Sequence, residues 1–186
     1  MLFLTVPPVF ERLFATWTLV TTANTTRGVF LRNPFNAEEN LFVNCSSPSS
    51  SNYSSVRDLG SPEDAAKGVI DRYLNEFMST RLGIRRESEI VRAGEREGKD
   101  GRLYYDVAVR IRSFAASNQY GLTQQERPQT LEWDRTQLAS FGVENKRLYE
   151  LRIQVPSSKY TTDEGQLQEI LDSFELFTME PGKTMI

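Results

Sequence analysis

The sequence predicts an α+β fold in which helices flank a single antiparallel β-sheet. Residues 101–114, GRLYYDVAVRIRSF, alternate apolar and polar side chains, a pattern typical of one long strand. Further alternating stretches are joined by short turns, which indicates hairpins and therefore antiparallel pairing. Two segments with helical spacing, one before and one after these strands, are suited to cover the apolar faces of the sheet.

The long strand is predicted to lie near the centre of the sheet, with an apolar face and a wetter face. In an extended chain, successive side chains point to opposite faces. The apolar face comprises Leu103, Tyr105, Val107, Val109 and Ile111, and the wetter face comprises Arg102, Tyr104, Asp106, Ala108, Arg110 and Arg112. A helix would scatter the apolar set around its circumference, so the alternation favours a strand.

The chain before the first helix is predicted to form an atypical N-terminal segment and then a hairpin. Residues 1–26 show no clean period, whereas residues 29–31 and 40–45 have strand character on either side of a turn. Residues 46–55 are rich in serine and indicate a surface loop. Cys45 is the single cysteine, so an internal disulfide is excluded. We expect it to be a small buried hydrophobe, with redox-controlled dimerisation as the alternative.

A helix is predicted to begin at Pro62. The Ser61 hydroxyl can accept a hydrogen bond from a free backbone N–H at the helix start. Proline suits the first helical position because a backbone N–H there would have no partner within the helix, so its absence costs nothing. Glu63 and Asp64 lie at the positive end of the helix dipole. The predicted helix ends near residues 82–83. The apolar residues at helical spacing are Ala66, Val69, Ile70, Tyr73, Leu74, Phe77 and Met78.

Four strands and a closing helix complete the predicted domain. The strands are residues 88–95, the long strand, residues 130–138 and residues 147–155, and the helix begins at about Asp163. Residues 115–129 form a polar excursion that is longer than a hairpin needs, and long loops are often functional. Within it, Tyr120 and Leu122 are candidate anchors for a partner, or alternatively pack on the domain's own core.

Composition narrows the classes of function. The 186 residues suit one domain, and the net charge of −3 argues against a dedicated nucleic-acid binder. No apolar run is long enough to predict a transmembrane helix. The chain has no histidine, which removes the commonest general base and metal ligand. No Gly-x-Ser-x-Gly elbow, Walker loop or dinucleotide fingerprint is present, so no catalytic or cofactor-binding residues are predicted.

The order of several motifs resembles the PsbP family of thylakoid lumen proteins. The motifs are the strand pair at 28–43, the helix start DLGSPE at 58–63, the strand opening GRLYY at 101–105, the strand opening NKRLY at 145–149, and Ser173-Phe174. The resemblance covers about residues 27–178 and leaves residues 179–186 as a C-terminal tail. It implies an α/β/α sandwich around an antiparallel sheet and a protein that is not an enzyme.

The resemblance also implies a location and partners. Family members bind photosystems from the lumen side, as extrinsic subunits that support the oxygen-evolving complex of photosystem II or as assembly factors. This chain is therefore expected in the chloroplast thylakoid lumen, peripheral to the membrane, with photosystem subunits as partners. It fits the opening pattern of the family only loosely, at Val6-Pro7 and Trp17, and lacks the histidines of the oxygen-evolving subunit. It thus resembles a PsbP-domain relative. A small-ligand-binding or enzymatic domain on the same fold is the alternative.

A basic set around the third strand is the candidate partner-binding site. Its members are Arg81, Arg85, Arg86, Arg92, Arg96 and Lys99, and Tyr120 in the polar excursion is a further candidate for contact with the partner. A cationic edge of this kind could steer the domain onto an acidic lumenal surface of a photosystem. The alternative is an ordinary solvated strand, in which neighbouring glutamates balance the arginines.

Three acidic pairs are candidates for calcium, the one cofactor that the family resemblance implies. They are Glu38-Glu39 with Asn40, Glu63-Asp64, and Asp163-Glu164. Calcium needs six or more converging oxygen ligands, which adjacent acids do not supply by themselves. The second and third pairs stand at predicted helix starts, where carboxylates stabilise the helix dipole without a metal.

Overall fold

The structure is a computed structural model that describes residues 18–19, 29–46, 52–76, 83–116 and 128–176. Within these residues, seven antiparallel strands form one sheet in the order β1-β2-β3-β7-β6-β5-β4. The strands are β1 (Thr18–Leu19), β2 (Val29–Arg32), β3 (Asn40–Cys45), β4 (Ile84–Glu97), β5 (Leu103–Ala116), β6 (Gln129–Glu144) and β7 (Arg147–Pro156). Helix α1 (Pro62–Glu76) follows a 3₁₀ helix (Val56–Leu59), and helix α2 (Ser157–Asp172) follows β7.

The two helices cover opposite faces of the sheet. Helix α1 packs on β4 and β5, and helix α2 packs on β6 and β7. Two separate apolar clusters result, one between the sheet and each helix. The predicted α+β class, with helices on both sides of a single antiparallel sheet, is confirmed.

Strand β5 has the predicted apolar face, but its second face is not wet where α2 covers it. The residues buried on the α1 side include Tyr105, Val107 and Val109, and those buried on the other side are Tyr104, Asp106 and Ala108. Only further along, at Arg110 and Arg112, does the second face become partly exposed. Strand β5 is an interior strand that lies next to the edge strand β4, and it is not the central strand of the sheet.

Helix α1 begins as the sequence predicts. The Ser61 hydroxyl accepts the Asp64 N–H at 3.2 Å, and the Asp64 carboxylate accepts the Ser61 N–H at 3.2 Å. These reciprocal bonds satisfy backbone donors that every helix start leaves free. Ala66, Val69 and Tyr73 are buried against the sheet. The predicted continuation of the helix to residue 82 lies outside the described residues.

Helix α2 begins at Ser157, about six residues earlier than predicted. The predicted start, Asp163, is instead a kink with φ −112° and ψ 17°. The residues before the kink do not place apolar side chains at helical spacing, so the sequence predicts a helix only for the residues after it. Leu167, Ile170 and Leu171 then bury the helix against the sheet.

Strand β6 continues to Glu144, well beyond the predicted end at residue 138. Ser140 and Gly142 interrupt the apolar alternation from which the end was predicted. Gly142 is needed because the ring of Tyr104 packs directly on its backbone. A Cβ atom at this position would lie 2.6 Å from that ring, which no side chain can tolerate without displacing it.

Strand β4 begins at Ile84, four residues before the predicted start. An edge strand needs few apolar residues, so the charged residues at the start of β4 do not show the alternation from which a strand is predicted. It forms one edge of the sheet and pairs only with β5 among the described strands. Its register shifts between Ile90 and Arg92, so Val91 forms a β-bulge.

Some predictions concern residues outside the described part of the chain. These are the roles of Arg81, Tyr120 and Leu122 and the helical placement of Phe77 and Met78. The segment 1–26, predicted to precede the domain, contributes the two residues of β1 to the sheet. A strand of two residues is too short to show an alternating pattern in the sequence. Cys45 is partly buried. No helix among the described residues has the length and apolar character to cross a membrane.

The two-sided core gives a prediction for stability. Ile153 on β7 is fully buried beneath α2, so I153A should lower the free energy of unfolding by about 2–5 kcal/mol through lost apolar burial and a residual cavity. The matched control is V29A on β2, where the side chain is 39% exposed, and it should change the stability much less. Urea unfolding followed by circular dichroism measures both. Equal losses would contradict the assigned core.

Candidate functional site

The predicted basic set divides between the interior and the surface. Arg92 and Arg96 lie on the same face of β4, and both point towards α2. Arg92 donates to the side chain of Gln168 on α2, and the Arg96 side chain is only 17% exposed. The structure therefore gives these two arginines partners within the domain.

Two of the remaining members, Arg85 and Lys99, are exposed. Arg85 pairs with Glu87 at 3.0 Å and stacks on the ring of Phe114 at 4.9 Å. Lys99 stands in the exposed turn between β4 and β5, and Arg86 is partly buried. The role of these residues in binding a partner stays a prediction. The members of the set that the structure describes do not form one continuous cationic surface, because Arg92 and Arg96 bind other residues of the domain.

Arg96 is the centre of a buried polar cluster that joins β4, β5, β6 and α2. Its Nε donates to Asp106 on β5 at 2.7 Å, and its Nη2 lies 3.3 Å from Ser140 Oγ on β6. The same Nη2 reaches the carbonyl oxygens of Leu171 and Phe174 at 3.2 and 3.3 Å. A guanidinium at the carbonyl end of a helix satisfies free acceptors and favours the helix dipole. Arg96 thus holds the end of α2 on the sheet.

The segment after α2 is held by a second cluster. The backbone N–H of Leu176 donates to the hydroxyl of Tyr104 at 2.8 Å, and that hydroxyl donates to Asp100 at 3.1 Å. Arg102 pairs with Asp100 at 2.6 Å and also donates to the carbonyl of Leu176. Burial raises the pKa of Tyr104 to about 12, so its hydroxyl keeps its proton and remains a donor.

A groove of about 570 Å³ opens where the start of α2 meets β4, β5 and β6. At its base Arg110 Nε donates to Asp134 at 2.8 Å, Ser157 Oγ donates to the same carboxylate at 2.6 Å, and the hydroxyls of Ser157 and Thr136 lie 2.9 Å apart. The hydrogen bond from Arg110 lowers the pKa of Asp134. The polar groups at the base are thus engaged with one another.

The loop between β2 and β3, residues 33–39, is organised around the buried carboxylate of Glu39. Glu39 is 6% exposed and accepts from Asn33 Nδ2 at 3.0 Å, Asn36 Nδ2 at 3.0 Å and Lys159 Nζ at 2.8 Å. Burial opposes ionisation, but the hydrogen bonds from Lys159 and the asparagines outweigh it and lower the pKa of Glu39. At the tip of this loop, Phe35 is 86% exposed.

The acidic pairs proposed for calcium are engaged with other residues of the domain. Glu38 pairs with Arg135 at 3.0 Å, Asp64 caps α1, and Glu164 accepts the hydroxyl of Tyr160. In the part of the chain that the structure describes, no three acidic, cysteine or histidine side chains are grouped as metal ligands.

Neither the groove nor the hydrogen-bonded loop was predicted from the sequence. The partners in the groove come from three separate elements, so no local spacing could show them. For the loop, a signal was available. Phenylalanine between proline and asparagine in a turn, Pro34-Phe35-Asn36, places an aromatic residue where polar residues are usual.

The three-layer arrangement, with helices on both faces of one antiparallel sheet, is the fold of a PsbP domain. The PsbP family model matches residues 15–176, so the chain belongs to the PsbP family, whose members are generally non-catalytic. The chain is 48% identical over 148 residues to PsbP domain-containing protein 1, chloroplastic, of Arabidopsis thaliana. That match covers 80% of this chain and 52% of the relative, so this chain spans about half the length of the curated relative.

A solved structure supports the fold. The solution structure of cyanobacterial PsbP, CyanoP, from Synechocystis sp. PCC 6803 superposes with a TM-score of 0.60 at 20% sequence identity. The superposition covers 87% of this chain and 82% of CyanoP. At this identity the likeness extends to the fold alone.

The Arg96 cluster predicts a large effect from a single substitution. R96M should lower the free energy of unfolding by about 3–5 kcal/mol, because Asp106 is left as a buried charge without its partner. R96M/D106N should cost less than R96M alone, since the unpaired charge is then removed. The exposed Arg85 gives the control, R85M, with an expected loss below about 1 kcal/mol. Chemical denaturation measures all three, and equal effects of R96M and R85M would contradict the assignment.

The lowered pKa values of Glu39, Asp100 and Asp134 predict the pH dependence of stability. Each carboxyl binds its proton less readily in the folded chain than in the unfolded chain. Its stabilising effect is complete above the unfolded pKa of about 4 and is lost as the pH falls through the folded value. With no histidine in the chain, the free energy of unfolding should be flat between about pH 8 and 5.5 and should fall below about pH 4.5.

Urea titrations across this range measure that profile. The variant E39Q removes one titrating group, so its stability should be lower than that of the wild type at neutral pH and should fall less steeply in acid. A steep loss of wild-type stability between about pH 7 and 5.5 would contradict the prediction, since the three shifts place no loss in that window.

Proposed function

We propose that this chain is a non-catalytic PsbP-domain protein of the chloroplast that associates with photosystem subunits at the lumenal surface of the thylakoid membrane. The observation that carries the proposal is the 48% identity to a protein named as a chloroplastic PsbP-domain protein. The geometry is in keeping with it. The polar side chains at Arg96 and Asp134 bind one another and join strands to the second helix.

Two roles fit this proposal. As an extrinsic subunit, the chain would remain bound to a mature complex and support it, as family members do for the oxygen-evolving complex of photosystem II. As an assembly or stability factor, it would bind incomplete complexes and leave. A calcium-related role belongs to the first of these by family resemblance alone, and no group of described residues argues for it.

The groove beside α2 favours a second candidate, a small-ligand-binding or enzymatic domain on the same fold. Its volume of about 570 Å³ is within the range of small-molecule sites. A binding site also needs polar groups that are available to the ligand, and here Arg110, Asp134 and Ser157 bind one another. The groove therefore supports this candidate less than family membership supports the first.

A crosslinking pull-down tests the proposal. The tagged chain is recovered from solubilised thylakoids of a plant that expresses it, and crosslinked proteins are quantified by mass spectrometry against an unrelated tagged lumenal protein. We expect photosystem subunits to be enriched. Stoichiometric recovery of a mature complex would identify an extrinsic subunit, and recovery of incomplete complexes alone would identify an assembly factor. Enrichment of neither would contradict the proposal.

A further inference from the structure

Arg86 on β4 carries a buried hydrogen-bond donor that has no acceptor. Its Nε is closed off from solvent, and no acceptor for it is found among the described residues. The other three arginines of β4 all have partners within the domain. The Arg86 side chain as a whole is only partly buried, so the outer end of its guanidinium is open to solvent. A buried donor without an acceptor destabilises the folded chain, so such a group indicates that an acceptor arrives from elsewhere.

Arg86 lies on the same face of the sheet as a second arginine. The strand registers place Arg86 opposite Ser113, and Ser113 opposite Trp133, and cross-strand neighbours share a face. The ring of Trp133 lies 4.5 Å from the guanidinium of Arg135 and packs edge-on against Tyr73 of α1, with 6.0 Å between the ring centres. We call Arg86, Arg135, Tyr73 and Trp133 the two-arginine site.

Both guanidiniums of this site act on the hydroxyl of Tyr73. Arg135 Nη1 lies 3.3 Å from that hydroxyl and donates to it. Burial raises the pKa of Tyr73, while the positive charges of Arg135 and Arg86 oppose the rise and the negative charge of Glu38 adds to it. The charges that act most strongly here are therefore two positive and one negative. Glu38 pairs with Arg135, so Arg86 is left without a carboxylate among the described residues.

Arg135 shows how a carboxylate is bound on this face. Its Nε and Nη2 both donate to Glu38 Oε1, at 3.1 and 3.0 Å. A guanidinium is planar and presents its N–H groups as a fork, which fits the oxygens of a carboxylate. Arg86 offers the same group with its outer end exposed. It is therefore complementary in charge and shape to one further carboxylate.

We propose that Arg86 binds the carboxylate of an aspartate or glutamate on a partner protein, with Trp133 and Arg135 bordering the bound group. The inference rests on the proposed function, since the partner would be a subunit of the photosynthetic complex. It narrows the basic set predicted from the sequence, because the other arginines of β4 are paired within the domain. A membrane surface is favoured less, because attraction to anionic lipids depends on clusters of several basic residues.

The test compares arginine variants in the pull-down from thylakoids. R86M removes the guanidinium, and R57M is the matched control, since the Arg57 side chain is 68% exposed and already pairs with Glu95 at 3.7 Å. At bait concentrations below saturation, R86M should recover roughly tenfold less photosystem protein per mole of bait than the wild type, as expected when one charge of an interfacial pair is removed. R57M should match the wild type. A loss from R85M equal to that from R86M would overturn the inference in favour of the whole cationic edge.

Thermal unfolding separates a binding role from a structural one. R86M should unfold at the wild-type temperature or above it, because it removes a buried donor that no described residue satisfies. R96M, which removes an arginine with partners inside the domain, should unfold several degrees lower. A comparable fall for R86M would overturn the inference, because it would show that Arg86 is needed to hold the fold.

A zero-length crosslink identifies the group that Arg86 contacts. Carbodiimide joins an amine to a carboxylate only where the two are in direct contact. R86K keeps the positive charge and supplies an amine, so peptide mass spectrometry should find position 86 joined to an aspartate or glutamate of a photosystem subunit. R57K is the control and should give no such crosslink. Loss of recovery with R86K would also support the inference, since only the guanidinium fork is then missing. Recovery of photosystem subunits by R86K without a crosslink at position 86 would overturn it.

The remaining outcomes separate this inference from the proposed function. If the wild type recovers photosystem subunits and R86M recovers them equally, the two-arginine site is wrong and the proposed function stands. If the wild type recovers none, the proposed function fails and the inference falls with it. Flotation with phosphatidylglycerol vesicles covers the membrane: binding by the wild type that R86M abolishes would overturn the inference in favour of a lipid surface.

Discussion

Burial of both faces of the long strands is the constraint on which the rest of the structure depends. Where strands β5, β6 and β7 are covered on both faces, each side chain must be apolar or find a partner inside the protein. Asp106 and Ser140 are polar residues on the face under α2. Arg96 reaches both from the neighbouring edge strand and also binds the carbonyl end of that helix. The hydrogen bonds of Arg96 that satisfy Asp106 and Ser140 therefore also fix the position of the end of α2.

The sequence was sufficient to predict those features that depend on residues close to one another in the chain. Alternation predicted one face of β5, and the capping residues predicted the start of α1, because both patterns concern neighbours in the chain. The second face of β5 depends on α2, some 60 residues away, so its burial could not be predicted from alternation. The start of α2 was predicted too late because the helix is kinked at Asp163, and the end of β6 was predicted too early because Gly142, on which Tyr104 packs, interrupts the apolar alternation. In each case a contact between distant segments decided the outcome.

The candidate site was harder to predict for the same reason. The basic set is a cluster in sequence, yet the acceptors of Arg96 lie 10 to 78 residues away in the chain, and Arg96 binds them in the interior. The loop at Phe35 depends on a bond between residues 120 positions apart, Lys159 and Glu39. Residue type and spacing indicate where charge occurs. They do not indicate which charges are already paired, and that decides which part of the surface remains available to a partner.

The β-bulge at Val91 has a consequence for how copies of this domain behave beside one another. Strand β4 offers a 14-residue edge whose outer backbone groups could template a strand from another molecule. The extra residue twists that edge and breaks its hydrogen-bonding repeat midway, so two such edges cannot join along their whole length. The charged side chains along it also oppose such pairing, because they would lose hydration when a second strand docked beside them. The domain can therefore keep a long strand at the edge of its sheet without pairing along its full length with the same edge of another copy.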